Sequence, residues 1–318
     1  MTQLLARSAR TPEHDYVRCP SAPGERGGVR LAVELRAGRT RITDLECRPP
    51  LQVLRLHHVD PAVPDLATAI LASPSGGILD GDRIRLDVTV GPGARLHLGT
   101  QSATRIYRTP EAGARFDSVI RVGERGYLEL MPDPYIPYRA SRFTASTRCE
   151  VAPGGTLLVH EVVGPGRSAR GEVLAFDRFE STLELLRPDG NVFATDTVRL
   201  DPADGLAQAG LLGDHRCVGS LFVVHEGFSP DVLIAGAESV VPSSGAATST
   251  SGPESAAPTS GPELASPSWG ASSLPGGAGA WLRVLAPDTG TASAILHGAW
   301  AAARGLLIGA PTPADHRF

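Results

Sequence analysis

IRLDVTVGPGARLHLG, residues 84–99, decides the fold class. Ile84, Leu86, Val88 and Val90 alternate with Arg85, Asp87 and Thr89, which is the period of a strand with one buried face. The GPGA segment 91–94 supplies a turn whose glycines and proline provide the backbone angles it needs, and Leu96 and Leu98 resume the alternation. The unit returns twice. Val122 leads through GERG to Leu128 and Leu130, and Val151 leads through APGG to Leu157 and Val159. In each copy six positions separate the valine before the turn from the leucine after it. A strand–turn–strand hairpin recurring at a step of roughly 30 residues predicts stacked or wound β-structure rather than α/β. Spacing alone leaves two architectures open: a solenoid-like winding, or a β-sandwich containing several similar hairpins.

Working outward, alternation starts at Val29 (Val29, Leu31, Val33, Leu35), and residues 1–28 read as a flexible polar tail. The β-rich core runs over 29–241. Residues 242–279, rich in Ser, Gly, Pro and Ala and nearly free of aliphatic side chains, read as a disordered insertion, because they offer too little apolar surface to order. Residues 280–310 supply a closing strand (280–285) and one helix over 291–307 of the same domain, with 311–318 as a tail. Ala294, Leu296, Trp300 and Ala303 fall near one helical face; Thr289 or Thr291 is placed to cap the start, and Gly309 with Pro311 to end it.

Composition removes several function classes. All 30 basic residues are arginine, so neither a Walker A lysine nor a pyridoxal Schiff base can be built. A net charge of -4 offers no basic footprint for nucleic acid. Cys19, Cys47, Cys149 and Cys217 lie far apart, which disfavours a zinc site or a disulfide framework. No signal-like apolar run and no membrane-spanning stretch occurs, so the expectation is a cytoplasmic protein with reduced thiols.

The motifs carry little catalytic chemistry. Ser73–Val88 contains Gly76, Gly77 and Gly81 beside Asp80 and Asp82. Such a segment can cradle an anion or hold a cation, or it can be a strand-entry turn whose aspartates cap backbone amides. His160–Val173 lacks the spacing of both GxSxG and HExxH, and His225–Glu226 fails the second test too. What remains there is a glycine-rich bend flanked by Glu161, Arg167, Arg170 and Glu172, readable as a partner-binding loop or a solvated hairpin tip. His57 and His58 are adjacent and would face opposite ways on a strand; Asp315–His316 could hold a metal only weakly. The residues favour a binding or scaffold role over an enzyme.

Five of these segments, in this order, resemble the urease accessory protein UreD family (UreH in some systems). They are SPSGGILDGDRI (73–84), TQSATRIYR (100–108), YLELMPDPYIPYRASRF (127–143), VVGPGRSARGEVLAFDRF (162–179) and WLRVLAPDTGTASAILHGAWAAAR (281–304). Arg105 stands where the family usually has lysine, and Tyr138 where it usually has phenylalanine; the insertion is also a departure. The resemblance implies a mostly β, helicoid-like fold with very few helices and a non-enzymatic role in urease maturation. It implies as partners the urease structural subunits, UreF and, through UreF, the nickel-carrying GTPase UreG. No cofactor would be tightly bound. Nickel would pass transiently through a water-filled passage, for which Asp80, Asp82, Glu129, Glu161 and Glu172 are candidate oxygen ligands, with Asp80, Asp82 and Glu172 bordering the route. Arg167 and Arg170 are candidate docking residues. Gly76, Gly77, Gly81, Arg105, Tyr107, Pro132, Gly164, Gly166, Gly171 and Trp300 are further motif positions for partner binding or structure. The rival readings are a stand-alone β-rich binding module and a hydrolase with dispersed catalytic residues.

Overall fold

The computed structural model describes residues 26–208, 210–241 and 265–312. The strands in chain order are β1 (Arg26–Arg36), β2 (Arg39–Arg48), β3 (Gln52–His57), β4 (Leu66–Ala72), β5 (Arg83–Val90), β6 (Arg95–Thr100), β7 (Thr104–Ile106), β8 (Ala114–Val122) and β9 (Tyr127–Met131). They continue with β10 (Tyr135–Pro137), β11 (Arg142–Val151), β12 (Thr156–Val163), β13 (Arg178–Leu186), β14 (Val192–Leu200), β15 (Cys217–Val224), β16 (Ser268–Ser273) and β17 (Gly279–Ala286). Helix α1 (Pro230–Glu238) lies between β15 and β16, and α2 (Thr289–Ile308) follows β17.

The recurring unit is a rung of a winding and not a hairpin. In each copy the turn carries the chain from one sheet to the other. The first strands of the copies, β5, β8 and β11, pair in parallel in a seven-stranded sheet ordered β14-β13-β11-β8-β5-β1-β2. The second strands, β6, β9 and β12, pair in parallel in a second sheet, whose path runs β16-β17-β15-β12-β9-β6-β4-β3. The equivalence seen in the sequence is therefore a physical stack. Val90, Val122 and Val151 are register partners in the first sheet, and Leu96, Leu128 and Leu157 are partners in the second. Parallel pairing needs a crossover connection, and the opposite sheet serves as that crossover. The arrangement is thus the solenoid-like, mostly β winding, closed at its ends by antiparallel pairs such as β1/β2 and β13/β14.

Two cores result. One lies between the sheets (Leu31, Val88, Leu96, Leu128, Leu157), and the other covers the far side of the second sheet with helices (Leu221, Leu282, Ile295, Leu296, Trp300). Full burial of each large apolar side chain contributes about 1.5–3 kcal/mol.

Two helices, one near the C-terminus, match the expectation of very few helices, and the cap of the C-terminal one differs. Asp288, rather than either threonine, caps α2, its carboxylate accepting from the Thr291 N–H at 2.8 Å; Gly309 ends the helix in the left-handed conformation. Ala294 is exposed, and Ile295, Ala299 and Arg304 join Leu296, Trp300 and Ala303 on the buried face. Helix α1 is additional: Ser229 caps it and Pro230 opens it, a short start that periodicity does not reveal. The two helices cross backbone to backbone, since a Cβ on Gly298 would lie 2.3 Å from the Gly236 carbonyl oxygen.

Two boundaries also move. Strand β1 begins at Arg26, three residues inside the expected tail. The expected insertion overlaps β16, whose SWGASS pairs with β17 through ladder hydrogen bonds while Trp269 and Ala271 pack against the second core. Residues 242–264 of that insertion, residues 1–25 and Asp315–His316 lie outside the described residues. No helix among the described residues is long and apolar enough to cross a membrane.

Candidate functional site

The winding leaves a cavity of about 120 Å³ between the sheets, open at the loops that carry Ser73, Gly76, Gln101 and Ser102. Its walls follow from register. On the first sheet Leu86, Ser118, Thr147, Leu183 and Asp196 occupy one row across five strands, and all five line the cavity. On the second sheet Glu161, Ser220 and Arg283 form a facing row on β12, β15 and β17. Hydroxyls and carboxylates thus stand at inward positions that in an ordinary sheet core would be apolar.

Two polar links bridge the sheets inside this space. The Ser181 hydroxyl donates to the Glu161 carboxylate at 2.8 Å. Arg283 donates to Asp196 at 2.5 Å and to the Ser220 hydroxyl at 2.9 Å. Burial pushes the Glu161 carboxyl up to about 7, a rise that the Ser181 hydrogen bond and Arg283 oppose and the nearby Asp196 charge reinforces. Glu161 is therefore a carboxyl that gains or loses its proton near neutral pH, where a cation and a proton compete for the same oxygens. His160, the preceding residue, donates from Nε2 to the Pro132 carbonyl oxygen (2.7 Å) and also lines a smaller cavity beneath α2 with His97, His297 and Trp300.

The remaining sequence candidates sit elsewhere and hold structure. Asp80 caps the loop before β8: its carboxylate accepts from the N–H groups of Glu111, Ala112 and Gly113 at 3.0, 3.0 and 2.9 Å. Asp82, buried, accepts from the Leu79 N–H at 2.8 Å. Both match the strand-entry turn described above. Gly76 and Gly81 take positive φ in that turn. Gly77 is pressed on the second motif, since a Cβ there would meet the Arg105 carbonyl oxygen at 2.5 Å and the Tyr107 ring at 2.7 Å. Two segments distant in sequence thus form one platform at the cavity mouth, tied by Ile78 N–H to Arg105 O (2.8 Å) and Tyr107 N–H to Ile78 O (2.9 Å).

Tyr107 meets Tyr138 edge-on at 5.2 Å between centroids, and the Arg167 guanidinium stacks 4.2 Å over the Tyr138 ring. Arg167 also grips Glu172 through two hydrogen bonds of 2.8 and 2.5 Å, which holds the Glu172 carboxyl below its ordinary range. Arg170 projects into solvent from a single 3-10 turn that Gly171 closes with positive φ. Gly164 lets the strand end pass Thr289 of α2, and Gly166, at φ 108°, lies against the backbone of Glu172 and Pro137.

Glu129 is fully buried and forms the hub of an ion network. Arg304 of α2 donates to both its oxygens (2.9 and 2.7 Å), the Tyr127 hydroxyl donates at 2.5 Å, and His97 Nδ1 lies at 2.8 Å. Arg304 also pairs with buried Asp60. Burial pushes the Glu129 carboxyl up, and His97, Arg304 and Tyr127 more than offset this, so that it remains ionised. The network pins α2, and with it Trp300, to the second sheet.

Of the five expected carboxylates, then, Glu161 alone lines the main cavity. Among the described residues no three His, Cys, Asp or Glu side chains converge to hold a metal ion. Asp196, Arg283, Ser181 and Ser220 escaped the sequence reading. The available signal was a polar residue at an inward position of a buried strand, as Ser220 is within CVGSLFVV.

Comparison with known proteins agrees with the five motifs. The model of the UreD urease accessory protein family matches residues 25–317. The chain is 32% identical to urease accessory protein UreD 2 of Streptomyces griseus over 299 residues, covering 92% of this chain and 94% of that protein. It is 33% identical to urease accessory protein UreD of Haloarcula marismortui over 298 residues, covering 93% of this chain and 92% of that protein. Urease accessory protein UreD 2 of Brucella suis is 30% identical over 293 residues, with 91% and 90% covered. With the motifs, the winding and these relatives in agreement, the chain belongs to the UreD urease accessory protein family.

Proposed function

We propose that this protein is a non-catalytic, cytoplasmic maturation factor that binds the structural subunits of apo-urease and, with UreF and with UreG reached through UreF, supports nickel insertion. The observation that carries the reading is the polar row between the sheets. A corridor lined by hydroxyls and by the carboxylates of Glu161 and Asp196 offers oxygen donors at the places where the fold would otherwise close on itself. Oxygen donors suit passage of a borderline cation, because imidazole or thiolate would hold it longer. In this reading nickel is cargo, and GTP hydrolysis is UreG's work.

Gly76 and Gly77 line the corridor with Arg105 and Tyr107 packed behind them, and Arg167 with Arg170 lies on the neighbouring loop as a docking surface. Asp80, Asp82 and Glu172 shape these segments through backbone and arginine contacts, and Glu161 is the carboxylate that meets the cargo. The test is affinity capture: the tagged chain is co-expressed with the urease structural subunits and UreF, and the eluate is identified. Joint recovery of urease and UreF supports the scaffold reading. Clean recovery of a soluble chain with neither partner refutes it.

A further inference from the structure

The cavity between the sheets adjoins a larger one of about 430 Å³ between β14 and the β16–β17 pair, with the exposed Thr195, Ser273 and Pro275 at its rim. The two share Leu183, Asp196 and Phe222 as walls. Asp196, a wall of both, is ion-paired with Arg283, which reaches it from the second sheet between Ser220 of the first cavity's lining and Trp281 of the second's without itself lining either. Arg283 is held in place from both sides. Its other terminal nitrogen donates to Ser220 at 2.9 Å, and its guanidinium lies 5.4 Å from the centroid of Trp281, which stacks on Phe222. The paired side chains are only 24% and 22% exposed.

We infer that the Arg283–Asp196 pair is the constriction between the two cavities, and that a divalent cation crosses it by taking the place of the Arg283 guanidinium on Asp196. The inference rests on the passage reading above. Its physical basis is charge exchange. Leaving Asp196 bare in a partly enclosed site is costly, whereas replacing one cation by another keeps the carboxylate compensated throughout. A tethered guanidinium is always charged and always present, so it acts as a built-in competitor. It keeps the carboxylate from retaining a passing ion, and Ser220 can hold the displaced guanidinium until it returns.

The test uses the full chain with Cys19→Ser and Cys47→Ser, titrated with NiCl2 by isothermal calorimetry. Arg283→Met removes the competitor and is expected to tighten Ni²⁺ binding roughly two- to fivefold, the scale of a partly screened ion pair. Adding Asp196→Asn is expected to abolish the gain, and Arg283→Lys to leave affinity near that of the parent. Arg283→Gln makes the same comparison should the methionine variant fail to fold. Unchanged affinity in a folded Arg283→Met or Arg283→Gln protein overturns the inference, as does a gain that survives Asp196→Asn. The passage reading is separable: a Glu161→Gln chain that under-loads urease, combined with no tightening on loss of Arg283, refutes the constriction and leaves the passage standing.

Discussion

Replacing Glu161 by glutamine keeps the size of the side chain and removes its titration, which turns the raised carboxyl into a measurable stability difference. In the unfolded chain this glutamate releases its proton near 4.5, and in the folded protein it retains it to about 7. Between these values the native state binds more protons than the unfolded state. Stability contributed by Glu161 therefore falls as pH rises through that window and is flat above it. Each tenfold change in proton affinity corresponds to about 1.4 kcal/mol, so the full penalty at pH 8 is at most roughly 3.5 kcal/mol, less whatever water in the cavity screens. Guanidinium chloride unfolding at pH 5 and pH 8 measures it. The unaltered protein should lose about 1–3 kcal/mol more than Glu161→Gln between the two pH values. Parallel pH dependences for the two proteins would show that Glu161 is solvated like a surface carboxylate, and the account of the cavity would fail.

Other perturbations separate structural carboxylates from the proposed cargo site. Arg304→Leu leaves Glu129 and Asp60 buried without their cation and should cost about 3–5 kcal/mol, read as a drop in thermal midpoint. Gly77→Ala forces a methyl against the Arg105 carbonyl and should destabilise by about 1–3 kcal/mol while loosening the platform, visible as faster amide exchange at Ile78 and Tyr107. Asp80→Ala removes the acceptor for three backbone N–H groups and should cost about 1–3 kcal/mol by denaturant titration, with urease nickel content unchanged as long as the variant is folded.

How much of this was legible in the sequence depends on the range over which each feature is encoded. The six-position spacing from Val90 to Leu96 and its two copies predicted stacking correctly, because each rung repeats the same local pattern of strand, turn and strand. The same pattern was misread as a hairpin. A turn between two strands looks alike whether the strands pair with each other or with neighbouring rungs, and only the long-range register of Val90 with Val122 and Val151 distinguishes them. Helix α2 was visible through its periodicity, although Asp288, one residue before the expected cap, holds its start. Strand β16 was invisible, since its order comes from the edge of β17 rather than from its own polar residues.

The site divides in the same way. Turn chemistry is local, and the alternative in which Asp80 and Asp82 cap backbone amides was readable from their glycine-rich setting. From its own sequence setting Glu161 was half of a failed metal motif and a flank of the glycine-rich bend, and the resemblance made it one of five candidate oxygen ligands. Its partners are 20 to more than 100 residues away, and Asp196 and Arg283, 87 positions apart, carry no sign of each other in the sequence. The resemblance marked the segments that carry Gly77, Arg105 and Tyr107, but nothing in the sequence showed that they converge.

The most direct test of the central claim is the nickel content of urease matured in cells with this chain unaltered, with Glu161→Gln, or without it. Urease purified under limiting nickel is analysed for metal per active site, with capture of the variant on urease checked in parallel. The account predicts that Glu161→Gln still binds urease but leaves it about as poorly loaded as omission of the chain. Full nickel loading of urease by the glutamine variant would contradict it.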